Sequence, residues 1–164
     1  MRTANTIDIC GDAERICGRI FSLAADIQDW PALLPHYRYV RILERSETHK
    51  VADFGASRDG FPVKWRARQE LFLEENRITF THLRGISTGM KVEWRLEPRG
   101  DHVHVIIAHE LTYAVTSAPD LLAGVIVGGL AALFADLIVG RMFVHNIAGK
   151  TLRCIKAKVE SEAG

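Results

Sequence analysis

The sequence predicts an α+β fold: a seven-stranded antiparallel sheet wrapped on a long C-terminal helix, with two short helices after the first strand. Three observations carry that expectation. Apolar and polar residues alternate over residues 37–113, the period of strands with one dry face and one wet face. The gaps between the alternating segments are short, which favours an antiparallel meander. A helical apolar pattern then runs over residues 130–159, long enough to cover the dry face.

Residues 3–9 alternate and read as the first strand. "GDAERICGRIFSLAADIQDW" reads as a helix capped by Asp12, with Ile16, Ile20, Phe21, Leu23, Ala24 and Ile27 on its apolar face. "WPALLP" breaks or redirects it, because neither Pro31 nor Pro35 suits a helix interior. Six strand-like segments follow: "YRYVRILER", "KVADFGAS", "PVKWRARQELFL", "RITFTHLRG", "MKVEWRLEP" and "HVHVIIAHELTY". The turns between them are "SETH", "RDGFP", "EEN", "GISTG" and "PRGD". The last helix carries Phe134, Leu137, Ile138, Met142, Ala148, Leu152, Ile155 and Val159 at helical spacing. The terminal "ESEAG" reads as a frayed tail.

A chain of 164 residues fits a single domain spanning residues 1–164. With 21 basic and 20 acidic side chains, it has no general attraction for nucleic acid or an anionic membrane. The N-terminus is polar and mixed, unlike a signal peptide. The three cysteines, Cys10, Cys17 and Cys154, form no C-x-x-C pair. They read as buried, reduced thiols in a cytoplasmic protein. No serine sits in a G-x-S-x-G context, and no phosphate-binding or dinucleotide-binding loop occurs.

Strand parity assigns the faces, because charges belong in water. Val63, Trp65, Ala67, Gln69, Leu71 and Leu73 point inward, and Lys64, Arg66, Arg68 and Glu70 outward. Ile78, Phe80 and His82 share the inner face, as do Met90, Val92, Trp94 and Leu96. So do Val103, Val105, Ile107, His109, Leu111 and Tyr113. The inner face is therefore mostly apolar, with Gln69, His82, His109, Tyr37 and Tyr113 as polar intruders. A buried polar group left without a partner costs about 1–3 kcal/mol, so each needs a protein partner or a ligand. A single inward histidine is more often a satisfied core residue than a ligand contact, and Trp65 and Trp94 serve equally well as core fillers. His82 and His109 have no third residue at convincing metal-ligand spacing, so no metal is expected.

The segment "LLAGVIVGGLAALFADLIVG", residues 121–140, contains one charge, Asp136. A membrane span needs about 20 apolar residues, and an Asp inside one costs roughly 2.5–3.5 kcal/mol. The stretch also holds Gly124, Gly128, Gly129 and Gly140. A cavity lip over residues 121–130 followed by a buried helix fits it better. Leu121, Leu122, Val125 and Ile126 leave open a peripheral membrane contact or a homodimer contact through that lip.

At this point a family resemblance emerges. "NTIDICGDAERICGRIFSLAADIQDWPALLPHYRYVRILE" resembles the opening of the START-like superfamily in its polyketide cyclase/dehydrase branch. "FTHLRGISTGMKVEWRLEP" followed by "VIIAHEL" resembles the later strands of that branch, and "FVHNIAGKTLRCIKAKVE" its C-terminal helix. The resemblance implies a helix-grip fold with a cavity for a hydrophobic small molecule: a polyketide, lipid or quinone. It implies no cofactor. Some members close and dehydrate poly-β-ketone chains, which admits an acyl carrier protein as partner. The aromatase/cyclase pattern Trp-x-Ser-x-Arg is met only by its tryptophan, since Trp65 is followed in phase by Ala67 and Gln69. A one-residue bulge would be needed to turn Arg66 or Arg68 inward.

The candidate catalytic groups are therefore His82, His109 and Tyr37, with histidine titrating in the range of a useful base or acid. The candidate ligand-binding residues are Trp65, Gln69, Phe80, Met90, Trp94, Tyr113, Phe134 and Ile138. A carrier without catalysis is the alternative reading.

Overall fold

A computed structural model describes residues 2–58, 60–85, 87–111 and 145–163. Strand β1 (Arg2–Cys10) leads into helix α1 (Ala13–Ala25), a 3-10 turn at Ile27–Asp29 and the short helix α2 (Trp30–Leu33). Strands β2 (Tyr37–Arg45), β3 (His49–Arg58), β4 (Phe61–Phe72), β5 (Arg77–Gly85), β6 (Lys91–Pro98) and β7 (His102–Glu110) follow. The C-terminal helix α3 spans His145–Ala163. The seven strands form one antiparallel sheet in the order β1-β7-β6-β5-β4-β3-β2. Six of them are a meander, and β1 joins at the far edge beside β7.

The local causes are those of the sequence. Asp12 caps α1 by accepting a hydrogen bond from the Arg15 amide, and Ile16, Ile20, Phe21 and Ala24 are buried on one stripe. The chain turns after Ala25 and restarts as α2 with Pro31 in its first turn, where the missing amide costs nothing. Ala24 and Ala25 expose carbonyls at the end of α1. The Gln69 amide donates to both, at 3.3 and 3.2 Å, and Lys50 Nζ donates to Ala25 at 2.8 Å. Burial pushes the Lys50 ammonium pKa down. The inner face of the sheet packs on α1, α2 and α3, with Ala148, Leu152, Ile155 and Val159 buried along α3.

Three expectations need correction. Leu73 is 65% exposed, because β4 ends at Phe72 and a 3-10 turn carries Leu73 off the inner face. Cys10 is exposed and only Cys17 is fully buried, where burial raises its thiol pKa. The tail is not frayed: α3 continues to Ala163, Glu162 pairs with Arg19 and Lys158, and Glu160 accepts from the Cys10 amide at 3.0 Å. The apolar stretch at 121–140 and its reading as lip and helix lie outside the described residues. Among the described residues no helix is long and apolar enough to cross a membrane.

Candidate functional site

The inner face of the sheet and the described helices line a cavity of about 110 Å³, of the order that holds one aromatic ring. Its wall is built from strand parity. Phe54 on β3, Trp65 on β4 and His82 on β5 form a ladder across three neighbouring strands. The Phe54 and Trp65 rings lie 5.2 Å apart and 4° from parallel, and Trp65 and His82 5.8 Å apart and 11° from parallel. Met90, Trp94 and His109 continue the wall on the approach to and along β6 and β7. Trp30 of α2 closes one side. Its ring meets Tyr37 edge-on at 5.0 Å and lies 5.7 Å from Phe80, and its Nε1 donates to the Leu23 carbonyl at 3.0 Å. Helix α3 closes the opposite side with Ala148 and Thr151, whose hydroxyl is 3.0 Å from His36 Nε2.

A bulge decides which side chains reach the cavity. Ala67 pairs with His82 but Arg66 pairs with Arg84, so Leu83 is the extra residue in β5. Without it, alternation after His82 would turn Arg84 inward opposite Trp65. With it, Arg84 is exposed and Gly85 lies against β4. Gly85 has φ +105°, and a Cβ there would stand 2.6 Å from the Lys64 carbonyl oxygen, so the position requires glycine. Arg66 also stays outside, bonded at two points to Asp53. Among the described residues no arginine or lysine lines the cavity.

The polar groups that do face it are few. His82 Nδ1 is 2.6 Å from Ser87 Oγ. Burial holds the His82 pKa down at about 4, so its ring is neutral near pH 7 and a weak base. That corrects the expectation of a histidine titrating near neutrality at this position.

Of the candidate residues, Tyr37, Trp65, Phe80, His82, Met90, Trp94 and His109 come together around the cavity. Gln69 does not. It is fully buried behind the wall and spends its amide on the end of α1, as a core residue would. Tyr113, Phe134 and Ile138 lie outside the described residues. Sequence reasoning missed Trp30, Phe54, Ser87 and Thr151 as lining residues. Phe54 was within reach of parity, sharing a face with Ala52 and Ala56, and Thr151 stands one turn beyond Ala148 on α3. Ser87 lies in the β5–β6 turn, where no periodicity points to a face. Among the described residues no group of His, Cys, Asp or Glu side chains is placed to hold a metal.

Residues 18–136 match the family described as polyketide cyclase / dehydrase and lipid transport. No curated protein matches the sequence. The fold is similar to that of the Zhui aromatase/cyclase from Streptomyces sp. R1128, at TM-score 0.76 and 18% identity, covering 100% of this chain and 96% of that one. It is equally similar to StfQ, a di-domain ARO/CYC of the steffimycin biosynthetic pathway, at TM-score 0.76 and 19% identity. That match covers 99% of this chain and 51% of StfQ. A START superfamily protein from Mycobacterium smegmatis matches at TM-score 0.63 and 15% identity, with 98% of both chains covered.

Proposed function

Since the chain belongs to the polyketide cyclase / dehydrase and lipid transport family, we propose that it encloses a hydrophobic, polyketide-type molecule in the aromatic cavity and promotes its cyclisation by holding it folded. The observation that carries this reading is the cavity itself: Phe54, Trp65, Trp30 and Trp94 offer ring faces, and the polar groups among the described residues are those of His82, Ser87, His109, Tyr37 and Thr151. Flat rings stack on such walls, and carbonyl or enol oxygens need the polar groups. His82, His109 and Tyr37 are the residues we assign to those oxygens, with Trp65, Phe80, Met90 and Trp94 as the apolar contacts.

Ring closure of a poly-β-ketone requires an acidic proton to leave and an enolate oxygen to be held. A neutral imidazole of low basicity is better suited to hold the oxygen than to remove the proton. Preorganised folding of the chain, rather than strong base catalysis, is then the main contribution. Delivery on an acyl carrier protein and a cytoplasmic setting complete this reading.

The same low basicity, with no cation among the described residues of the wall, favours a second reading: a carrier for a lipid or quinone that performs no chemistry, loading at a membrane through the apolar segment at residues 121–130. Native mass spectrometry of the purified protein, followed by organic extraction, tests both. A co-purifying aromatic or polyketide mass, and a changed product profile when the protein is added to a linear poly-β-ketone, support cyclisation. A bound acyl lipid or quinone with no effect on products supports the carrier. An empty protein that binds no hydrophobic probe overturns both.

A further inference from the structure

The bond between Ser87 and His82 has a direction, and the direction sets what the cavity offers a ligand. Two arrangements fit a 2.6 Å contact between Ser87 Oγ and His82 Nδ1. In one the hydroxyl donates to a bare Nδ1, and the imidazole proton sits on Nε2. In the other Nδ1–H donates to the hydroxyl oxygen, and the hydroxyl proton must find an acceptor elsewhere. Among the described residues Ser87 Oγ has no other hydrogen-bond partner, and Ser87 is 8% exposed. Each arrangement leaves one donor without a protein partner among the described residues, the Ser87 hydroxyl in the second and His82 Nε2–H in the first. Ser87 is buried and His82 only partly so, and the first arrangement is favoured because it leaves the donor on the more accessible side chain, where a ligand can meet it. His82 Nε2 likewise has no partner among the described residues, and the ring lines the cavity, held in plane against Trp65.

We propose that Ser87 is a positioning residue that locks His82 as the Nε2–H tautomer, so that this ring presents a neutral N–H donor to a ligand oxygen. This rests on the enclosed-ligand reading above and names its ligand class: an apolar ring compound bearing a carbonyl, enol or phenol oxygen. The donor carries no charge, so a bound carbonyl gains a hydrogen bond without the desolvation of an arginine or lysine.

Ser87 is not a nucleophile in this arrangement. The amides beside it are already spent: Thr88 N–H on the Gly85 carbonyl, Gly89 N–H on that of His82, and Met90 N–H on that of Ser87 itself. None of the three remains to hold an oxyanion. Those same bonds fix the turn, and so fix the hydroxyl against the ring.

The test uses the whole protein labelled with ¹⁵N-histidine, as wild type, Ser87→Ala and Ser87→Thr. Long-range ¹H–¹⁵N correlation at pH 7 reads the tautomer of His82 directly. Wild type and Ser87→Thr are expected to show Nε2–H alone, and Ser87→Ala a mixture of both tautomers. A wild-type Nδ1–H tautomer, or an Ala variant indistinguishable from wild type, overturns the proposal. A binding pair reads the consequence: acetophenone and ethylbenzene have similar size and differ in the carbonyl. Wild type is expected to prefer acetophenone by roughly five-fold, the worth of one hydrogen bond. Ser87→Ala should reduce that preference by about two-fold, the competent tautomer then being only part of the population. Equal binding of the pair by wild type overturns the ligand class. Failure of both probes to bind any variant counts against the enclosed-ligand reading, while the tautomer spectrum still decides the role of Ser87.

Discussion

Arg66 and Asp53 face each other across β4 and β3 in a two-point bond, Nε to Oδ1 at 2.7 Å and Nη2 to Oδ2 at 2.9 Å, on the sheet face away from the cavity. The Arg66 guanidinium, with weaker help from Arg41 and Arg84, holds the Asp53 carboxyl below its usual range. Asp53→Asn should therefore remove stability that is present above about pH 4 and lost as pH falls through the lowered pKa. Both side chains are 30% exposed, so the loss should be small. Urea titrations at pH 7 and pH 3 measure it. Affinity for a hydrophobic probe should be unchanged, and a large gain or loss would mean that Arg66 reaches the cavity.

His82 gives a steeper acid limb. Its pKa lies at about 4 in the folded protein against 6.5 for the free side chain. Above pH 6.5 both states are neutral and the group contributes nothing. As pH falls from 6.5 toward 4 the unfolded chain takes up a proton that the folded one refuses, so stability falls by on the order of 2–3 kcal/mol. His82→Gln should flatten that part of the stability–pH curve. An unchanged slope in the variant would show that the ring is solvated.

Gln69 separates a structural role from a ligand role. Gln69→Leu keeps the volume but removes the donors on Ala24 and Ala25, leaving only Lys50 on Ala25. The expected cost is about 1–3 kcal/mol in chemical denaturation. Calorimetric affinity for any cavity ligand should move less than two-fold. The reverse pattern, stable protein with lost binding, would place Gln69 in the site.

Trp65 sets the size of the cavity. It is only partly buried and is sandwiched between Phe54 and His82. Trp65→Ala should cost about 2–3 kcal/mol, less than the ~3–5 of a fully buried ring. The opened space should shift preference from one-ring toward two-ring probes, read as the ratio of phenol to 1-naphthol affinity. A ratio that does not change would show that another residue limits the cavity.

Much of this was legible in the sequence, and the reasons differ by element. Wherever a strand has one wet face, alternation fixes the side-chain direction, so Trp65, Phe80, Trp94 and Ile107 could be placed from their neighbours. Parity fails where the backbone adds a residue. The Leu83 bulge changes the face of Arg84, and nothing in "THLRG" marks it except the glycine that follows. Turn residues have no period, which is why Ser87 was not assigned to the site. Gln69 was correctly placed inward, but the partners of its amide nitrogen are carbonyls at the end of a helix some forty residues earlier, which no strand period reveals. Sequence shows that a buried amide needs a partner but not which one.

The placement of β1 has a consequence for how the molecule is made. Arg2 pairs with Glu110, 108 residues away, and every other pair of that ladder is also long-range. These nine residues are synthesised before the meander, yet their partner β7 is the last strand of it to be made. They are then fastened from outside the sheet, Lys156 donating to the Asp8 carbonyl at 2.7 Å and Glu160 accepting from Cys10. Closing so long a loop is entropically slow, whereas each hairpin of the meander closes locally. A strand made before all the others is thus the last to be protected, and it waits unpaired beside a half-built sheet. Pulsed hydrogen exchange should find the β1 amides acquiring protection after those of β3 to β6, together with the end of α3.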